Sequence, residues 1–129
     1  MDAKQLLIFS ASMLASAIAP AAHGEEAQGR YVQIAEIEVD PAQIENYRAA
    51  VNEQIEAAIR TEPGVLVLYA VAERNDATRV RVFEIYRDAA AYRAHLEAPH
   101  FKKYKATTET MVRSLKLVPV VPIALGAKS

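Results

Sequence analysis

The chain of 129 residues contains no cysteine and no tryptophan. Without thiols there is no disulfide framework, no thiolate metal ligand and no cysteine nucleophile. A small exported domain made this way must be held by its core or by association. Charge of one sign is also lacking: 15 Lys and Arg face 16 Asp and Glu, a net charge of −1. With no basic stripe, the electrostatic footprint of a nucleic-acid binder is excluded. One uncharged apolar run stands at the start of the chain. LLIFSASMLASAIA, after Lys4, carries no charge, is too short to span a bilayer, and is followed by Ala22-His23-Gly24 and then EEAQGR. This predicts a cleaved secretory signal over residues 1–24 and an exported domain, periplasmic or secreted, over residues 25–129. Its core covers about 30–118, and no membrane insertion remains after cleavage.

What is present reads as alternating strands and helices. RYVQIAEIEV, residues 30–39, is rich in β-branched residues and alternates loosely, as a strand does. Asp40-Pro41 then supplies an N-cap and a first-turn proline. Ile44, Tyr47, Val51, Ile55 and Ala58-Ile59 recur at helical spacing until Glu62-Pro63-Gly64 stops the helix. Val65 to Glu73 is a nearly continuous apolar run, expected to be buried on both faces. A polar turn leads to RVRVFEIYR, residues 79–87, the second arm of a hairpin. Asp88 caps a short helix through Leu96, and Pro99 opens another carrying Phe101, Tyr104, Thr108 and Met111 on one stripe. The tail from Val112 to Ile123 is extended, with Pro119 and Pro122 confining its end to an edge.

The order β-α-β-β-α-β, with helices segregated to one face of an antiparallel sheet, predicts an α+β sandwich of ferredoxin-like type. The run VLVLYAVA is apolar on both sides, so the other sheet face needs a cover that one short chain cannot supply. A second copy packed sheet against sheet supplies it, which predicts a homodimer.

TEPGVLVLYA (residues 61–70), FEIYRDAAAYRAH (83–95) and PHFKKY (99–104), in this order and spacing, resemble the signature blocks of the antibiotic-biosynthesis monooxygenase family, quinol monooxygenases included. The resemblance spans about Arg30 to Val118. It implies a dimeric α+β barrel and oxidation of a small aromatic or quinol substrate by O₂, with no cofactor. Members commonly carry tryptophan where Tyr86 stands, which marks Tyr86 as substrate-binding, and haem-degrading relatives use a pocket tryptophan that this chain lacks. Relatives also include proton-transfer isomerases and proteins without chemistry. A ligand-binding or stress-related dimer and an isomerase are therefore the alternatives.

Oxygenation without a cofactor requires that a phenol or hydroquinone lose a proton, because the anion reduces O₂ far more readily. That calls for a base working near neutral pH in a dry, aromatic-walled pocket. His95 shares the inward stripe of Ala91 and Tyr92, either as that base or as a core-edge histidine satisfied by a backbone carbonyl. His100 lies just inside the helix begun by Pro99, where the dipole favours a neutral ring; it is a second base or a surface corner residue. Pro99 breaks the register between the two, and no acidic or cysteine residue stands at ligand spacing, so no metal is expected. Glu84 faces the apolar side of its strand with Val80, Val82 and Tyr86. It is a candidate catalytic carboxylate, with an ion pair to Arg74, Arg79, Arg81 or Arg87 as the slightly favoured alternative. Tyr69, mid-strand, and Phe101 are expected to line the pocket or to pack in the core.

Overall fold

The structure, a computed structural model, describes residues 29–129. The expected leader and its cleavage point lie outside these residues. Four strands and three α-helices alternate: β1 (Tyr31–Val39), α1 (Ile44–Thr61), β2 (Val65–Glu73), β3 (Asp76–Tyr86), α2 (Ala89–Glu97), α3 (Pro99–Thr108) and β4 (Val112–Pro119). The sheet order is β2-β3-β1-β4, antiparallel throughout. This is the ferredoxin-like arrangement that the order of elements predicts. Among the described residues no helix is long and apolar enough to cross a membrane.

Local chemistry sets the boundaries of these elements. The Asp40 carboxylate accepts the Ala42 amide, and Pro41–Gln43 forms a 3₁₀ turn before α1 takes over. Asp88 caps α2 by accepting the Ala91 amide at 2.8 Å. Pro99 both ends the α2 register and occupies the first turn of α3, where it lacks no needed donor. At Gly64 the chain passes so close to α2 that a Cβ would lie 2.5 Å from that of Ala91. Only glycine fits, and the close approach brings the end of α1 against α2.

The helices cover one sheet face. Two packed clusters sit beneath them: Ala58, Val65, Leu68, Tyr86, Ala91 and Tyr92 toward one end, and Ala35, Ile37, Val39, Tyr47, Val80 and Val82 toward the other. The buried stripe of α1 is Tyr47, Gln54 and Ala58, while Ile59 faces outward at 50% exposure. The last position of the predicted stripe is therefore wrong by one residue.

The opposite face, which the apolar run assigns to a second copy, is open in the single chain. In β2 only Val65 and Leu68 are buried; Leu66, Tyr69 and Val71 are exposed in the single chain. Tyr69, 62% exposed, neither packs in the core nor borders the pocket described below. The reason is parity. Tyr69 pairs with Phe83 and Leu68 with Glu84, so Tyr69 and Glu84 point to opposite faces. Toward the β2–β3 turn the open face is charged, with Arg79 on Glu38 and Glu73, and Arg81 on Glu73.

Candidate active site

Between the sheet and the helices lies a cavity of about 330 Å³, near the lower end of the range for small-molecule sites. Its walls are largely aliphatic and aromatic, including Leu68, Val82, Phe101 and Leu115. Polar atoms enter it from two directions, one from the sheet and one from the helices.

From the sheet come Gln33, Glu84 and Tyr86. Gln33 on β1 pairs directly with Glu84 on β3, and both point under the helices. The Gln33 amide donates to Glu84 Oε1 at 2.9 Å, and the Tyr86 hydroxyl donates to the same oxygen at 2.7 Å. Burial pushes the Glu84 carboxyl above the usual carboxylate range, and these two donors only partly oppose it. Burial and the adjacent Glu84 also hold the Tyr86 phenol well above its ordinary value, so it remains a donor. The ion pair expected between Glu84 and a strand arginine is not formed. Arg79 and Arg81 belong to the opposite face, and Arg87 turns to Asp88.

From the helices comes His95 on α2, 2% exposed and bordering the cavity. Its ring packs against Phe101 and Tyr86, with centroids 4.9 and 5.4 Å away. Its Nδ1 lies 2.8 Å from Glu62 Oε2. His100 Nε2 meets that same oxygen at 2.5 Å. Burial lowers the pKa of His95, which Glu62 opposes and the neighbouring His100 reinforces. A neutral imidazole that donates Nδ1–H to the carboxylate carries its lone pair on Nε2, free to accept a proton.

Glu62 overturns the sequence argument that no acidic partner accompanies the two histidines. Pro99 does not separate them. It folds α3 back so that the rings lie 6.0 Å apart, and Gly64 lets the end of α1 reach both. His100 does not border the main cavity; it lines a smaller one of about 160 Å³ between α1 and α3. Gln54 and Tyr104 line both spaces, and the buried Gln54 Oε1 has no hydrogen-bond partner among the described residues. Tyr104 shares a 2.7 Å hydroxyl contact with Tyr47.

Glu62, Gln33 and Gln54 escape the sequence reading for different reasons. The spacing of β1 places Gln33 on the inward face with Ala35 and Ile37, but nothing in that spacing pairs its amide with Glu84 on another strand. Gln54 likewise falls one helical step from Val51 on the inward stripe of α1. Glu62 sits in a helix-stopping tripeptide, and nothing local marks it as anything else.

Residues 30–107 match the sequence profile of antibiotic biosynthesis monooxygenases. A Bacteroides thetaiotaomicron protein named for that family is 46% identical, with a TM-score of 0.77, over 81% of this chain and 99% of the other. The chain therefore belongs to the antibiotic biosynthesis monooxygenase family. A Nitrosomonas europaea protein named for the same family is 25% identical over 73% of this chain and 99% of its own, with a TM-score of 0.69. A Lactobacillus acidophilus protein named a monooxygenase is also 25% identical, with a TM-score of 0.71, over 72% of this chain and 44% of the other. No curated protein matches the chain.

Proposed function

We propose that this chain is a monooxygenase that ionises a phenol or hydroquinone with His95 and lets the resulting anion react with O₂. The observation that carries this reading is a buried imidazole, oriented by a carboxylate, bordering an otherwise apolar cavity. The substrate hydroxyl gives its proton to Nε2, and Glu62 stabilises the imidazolium that forms. Burial raises the Glu84 pKa, which favours the protonated carboxyl that can offer the new oxyanion a hydrogen where a carboxylate would repel it. Phe101 and Tyr86 provide aromatic wall against which a planar ring packs. For a hydroquinone, one oxygen atom enters the ring and the other leaves as water. The four electrons O₂ requires come from hydroquinone-to-quinone oxidation and from ring hydroxylation.

Oxygen uptake against a panel of hydroquinones and polyphenols tests the reading. The expected outcome is substrate-dependent O₂ consumption matched by hydroxyquinone formation. Tight binding without O₂ uptake would instead make the protein a ligand carrier. Proton exchange into deuterated water without O₂ uptake would make it an isomerase.

The working unit is proposed to be a homodimer joined through the open sheet face. Leu66, Tyr69 and Val71 are exposed there beside the partly buried Val67 and Phe83, and apolar surface of this kind is usually covered. Light scattering at micromolar concentration is expected to give the mass of two chains; a single-chain mass would remove the proposal.

A further inference from the structure

We infer that Glu62, His95 and His100 also form a binding site for a divalent transition-metal ion. The carboxylate oxygen and the two imidazole nitrogens lie within 4.8 Å of one another. They come from three separate places in the fold, the C-terminal cap of α1, the body of α2 and the first turn of α3. Two imidazoles and one carboxylate make a three-ligand donor set, with coordination positions left for water or a small molecule. Imidazole nitrogen selects first-row ions such as zinc and disfavours magnesium and calcium, which prefer all-oxygen shells.

Both nitrogens approach a single oxygen, Glu62 Oε2, at 2.8 and 2.5 Å. Donors bound at about 2.0–2.2 Å to a common ion stand roughly 3 Å apart. The three ligand atoms lie within 4.8 Å of one another, so a withdrawal of the Glu62 side chain together with a closer approach of the two imidazole nitrogens opens the cluster to an ion that replaces the shared protons. Glu62 can make that withdrawal because it lies at a helix end, past the last regular turn. Binding must release protons, since each imidazole presents a bare nitrogen to the metal.

The ion has a consequence for the cavity. Metal on Nδ1 keeps the His95 proton on Nε2, so the ring donates into the cavity where it otherwise accepts. An occupied site withdraws the base. This consequence rests on the reading of His95 given above; the binding itself does not.

The composition makes the test decisive. Beyond the leader the chain has no histidine other than His95 and His100, and it has no cysteine anywhere. Zinc chloride is titrated calorimetrically into the full chain at neutral pH. One ion per chain is expected, with low-micromolar or tighter affinity, and zinc should raise the melting temperature. Glu62→Gln and His100→Gln should each weaken binding by about tenfold or more, whereas His23→Ala leaves it unchanged. Cobalt should give visible d–d absorption that His100→Gln abolishes. Nitrogen-15 shifts of the wild-type imidazoles should move His95 from the Nδ1–H to the Nε2–H form as zinc is added. No heat, no thermal shift and no cobalt bands with wild type would overturn the inference, leaving a hydrogen-bonded cluster only. Equal affinity in wild type and both Gln variants would overturn it as well.

Discussion

Glu84 and Glu62 stand on either side of the Tyr86–His95 pair, and each accepts two hydrogen bonds on one oxygen. Their donors differ. Glu84 is deep in the sheet and is held by an amide and a phenol, neither of which can take on a positive charge near neutral pH. Glu62 is at a helix end and is held by two imidazoles, either of which can. A carboxylate between neutral donors in an apolar wall drifts toward its protonated form. A carboxylate facing imidazoles stabilises the charge that appears when one of them takes a proton. In the reaction proposed above, these two identical side chains take opposite parts, Glu84 as a hydrogen-bond donor within the cavity and Glu62 as the anion that orients the base from behind it.

The most disruptive way to break this asymmetry is to remove the base. His95→Gln keeps the size and polarity of the ring approximately but cannot accept the substrate proton. Turnover is expected to fall by roughly two to four orders of magnitude, with a residual rate that climbs at high pH as substrate ionises unaided. Oxygen-electrode rates normalised to folded protein check this. Wild-type rates in the variant would move the base elsewhere, with Glu84 next in line.

Glu62→Gln should have a smaller effect. The amide can still accept from Nδ1–H, so His95 remains in place, but the anion that stabilises the imidazolium is gone. Loss of one charge-assisted hydrogen bond of about 1.5–3 kcal/mol corresponds to roughly a ten- to hundredfold fall in kcat. KM should change little, since Glu62 is not among the residues bordering the main cavity. A rise in KM with kcat unchanged would show that Glu62 shapes the pocket and does not assist the base.

The two carboxylates also differ in how far the sequence discloses them. The fold is legible because each element carries its own signal: the Asp40-Pro41 and Asp88 starts, the stop at Glu62-Pro63-Gly64, and the inward periods of α1 and α3. Glu84 is legible as a carboxylate on an apolar face, because strand parity alone places it beside Val82 and Tyr86. Its partners are not legible, since the nearest arginines in sequence, Arg79 and Arg81, occupy the other parity and the true donor, Gln33, is 51 residues away. Tyr69 fails for the related reason that an unbroken apolar run hides its own parity. Leu68 and Tyr69 look alike in sequence, and only the irregular register between Val65 and Val67 decides which one enters the core. Glu62 is hidden altogether. Its meeting with His95 and His100 depends on a tertiary approach that Gly64 permits and no local pattern announces.

The gentlest test of the comparison is Glu84→Gln, because its effect should appear in stability and scarcely in turnover. The folded-state pKa of Glu84 is raised above the ordinary value of 4.5 by burial. Below that value both folded and unfolded chains hold the proton, and the group contributes its full stability. As pH rises from there through the raised folded pKa, the unfolded chain ionises first, so the folded state binds more protons and stability declines. Wild type should therefore lose stability between mildly acidic and neutral pH, in the window set by this raised value. Glutamine cannot ionise and retains an oxygen for Gln33 and Tyr86, so the variant should lack that part of the decline. The two proteins should unfold at similar urea concentrations near pH 4.5, with the variant becoming the more stable of the two as neutrality is reached. Because glutamine still offers a hydrogen to the cavity, O₂ consumption should stay within a few-fold of wild type, in contrast to Glu62→Gln. Urea midpoints across that range decide the matter. A variant less stable than wild type at neutral pH would mean that Glu84 is held as a stabilised anion, and the asymmetry between the two carboxylates would disappear.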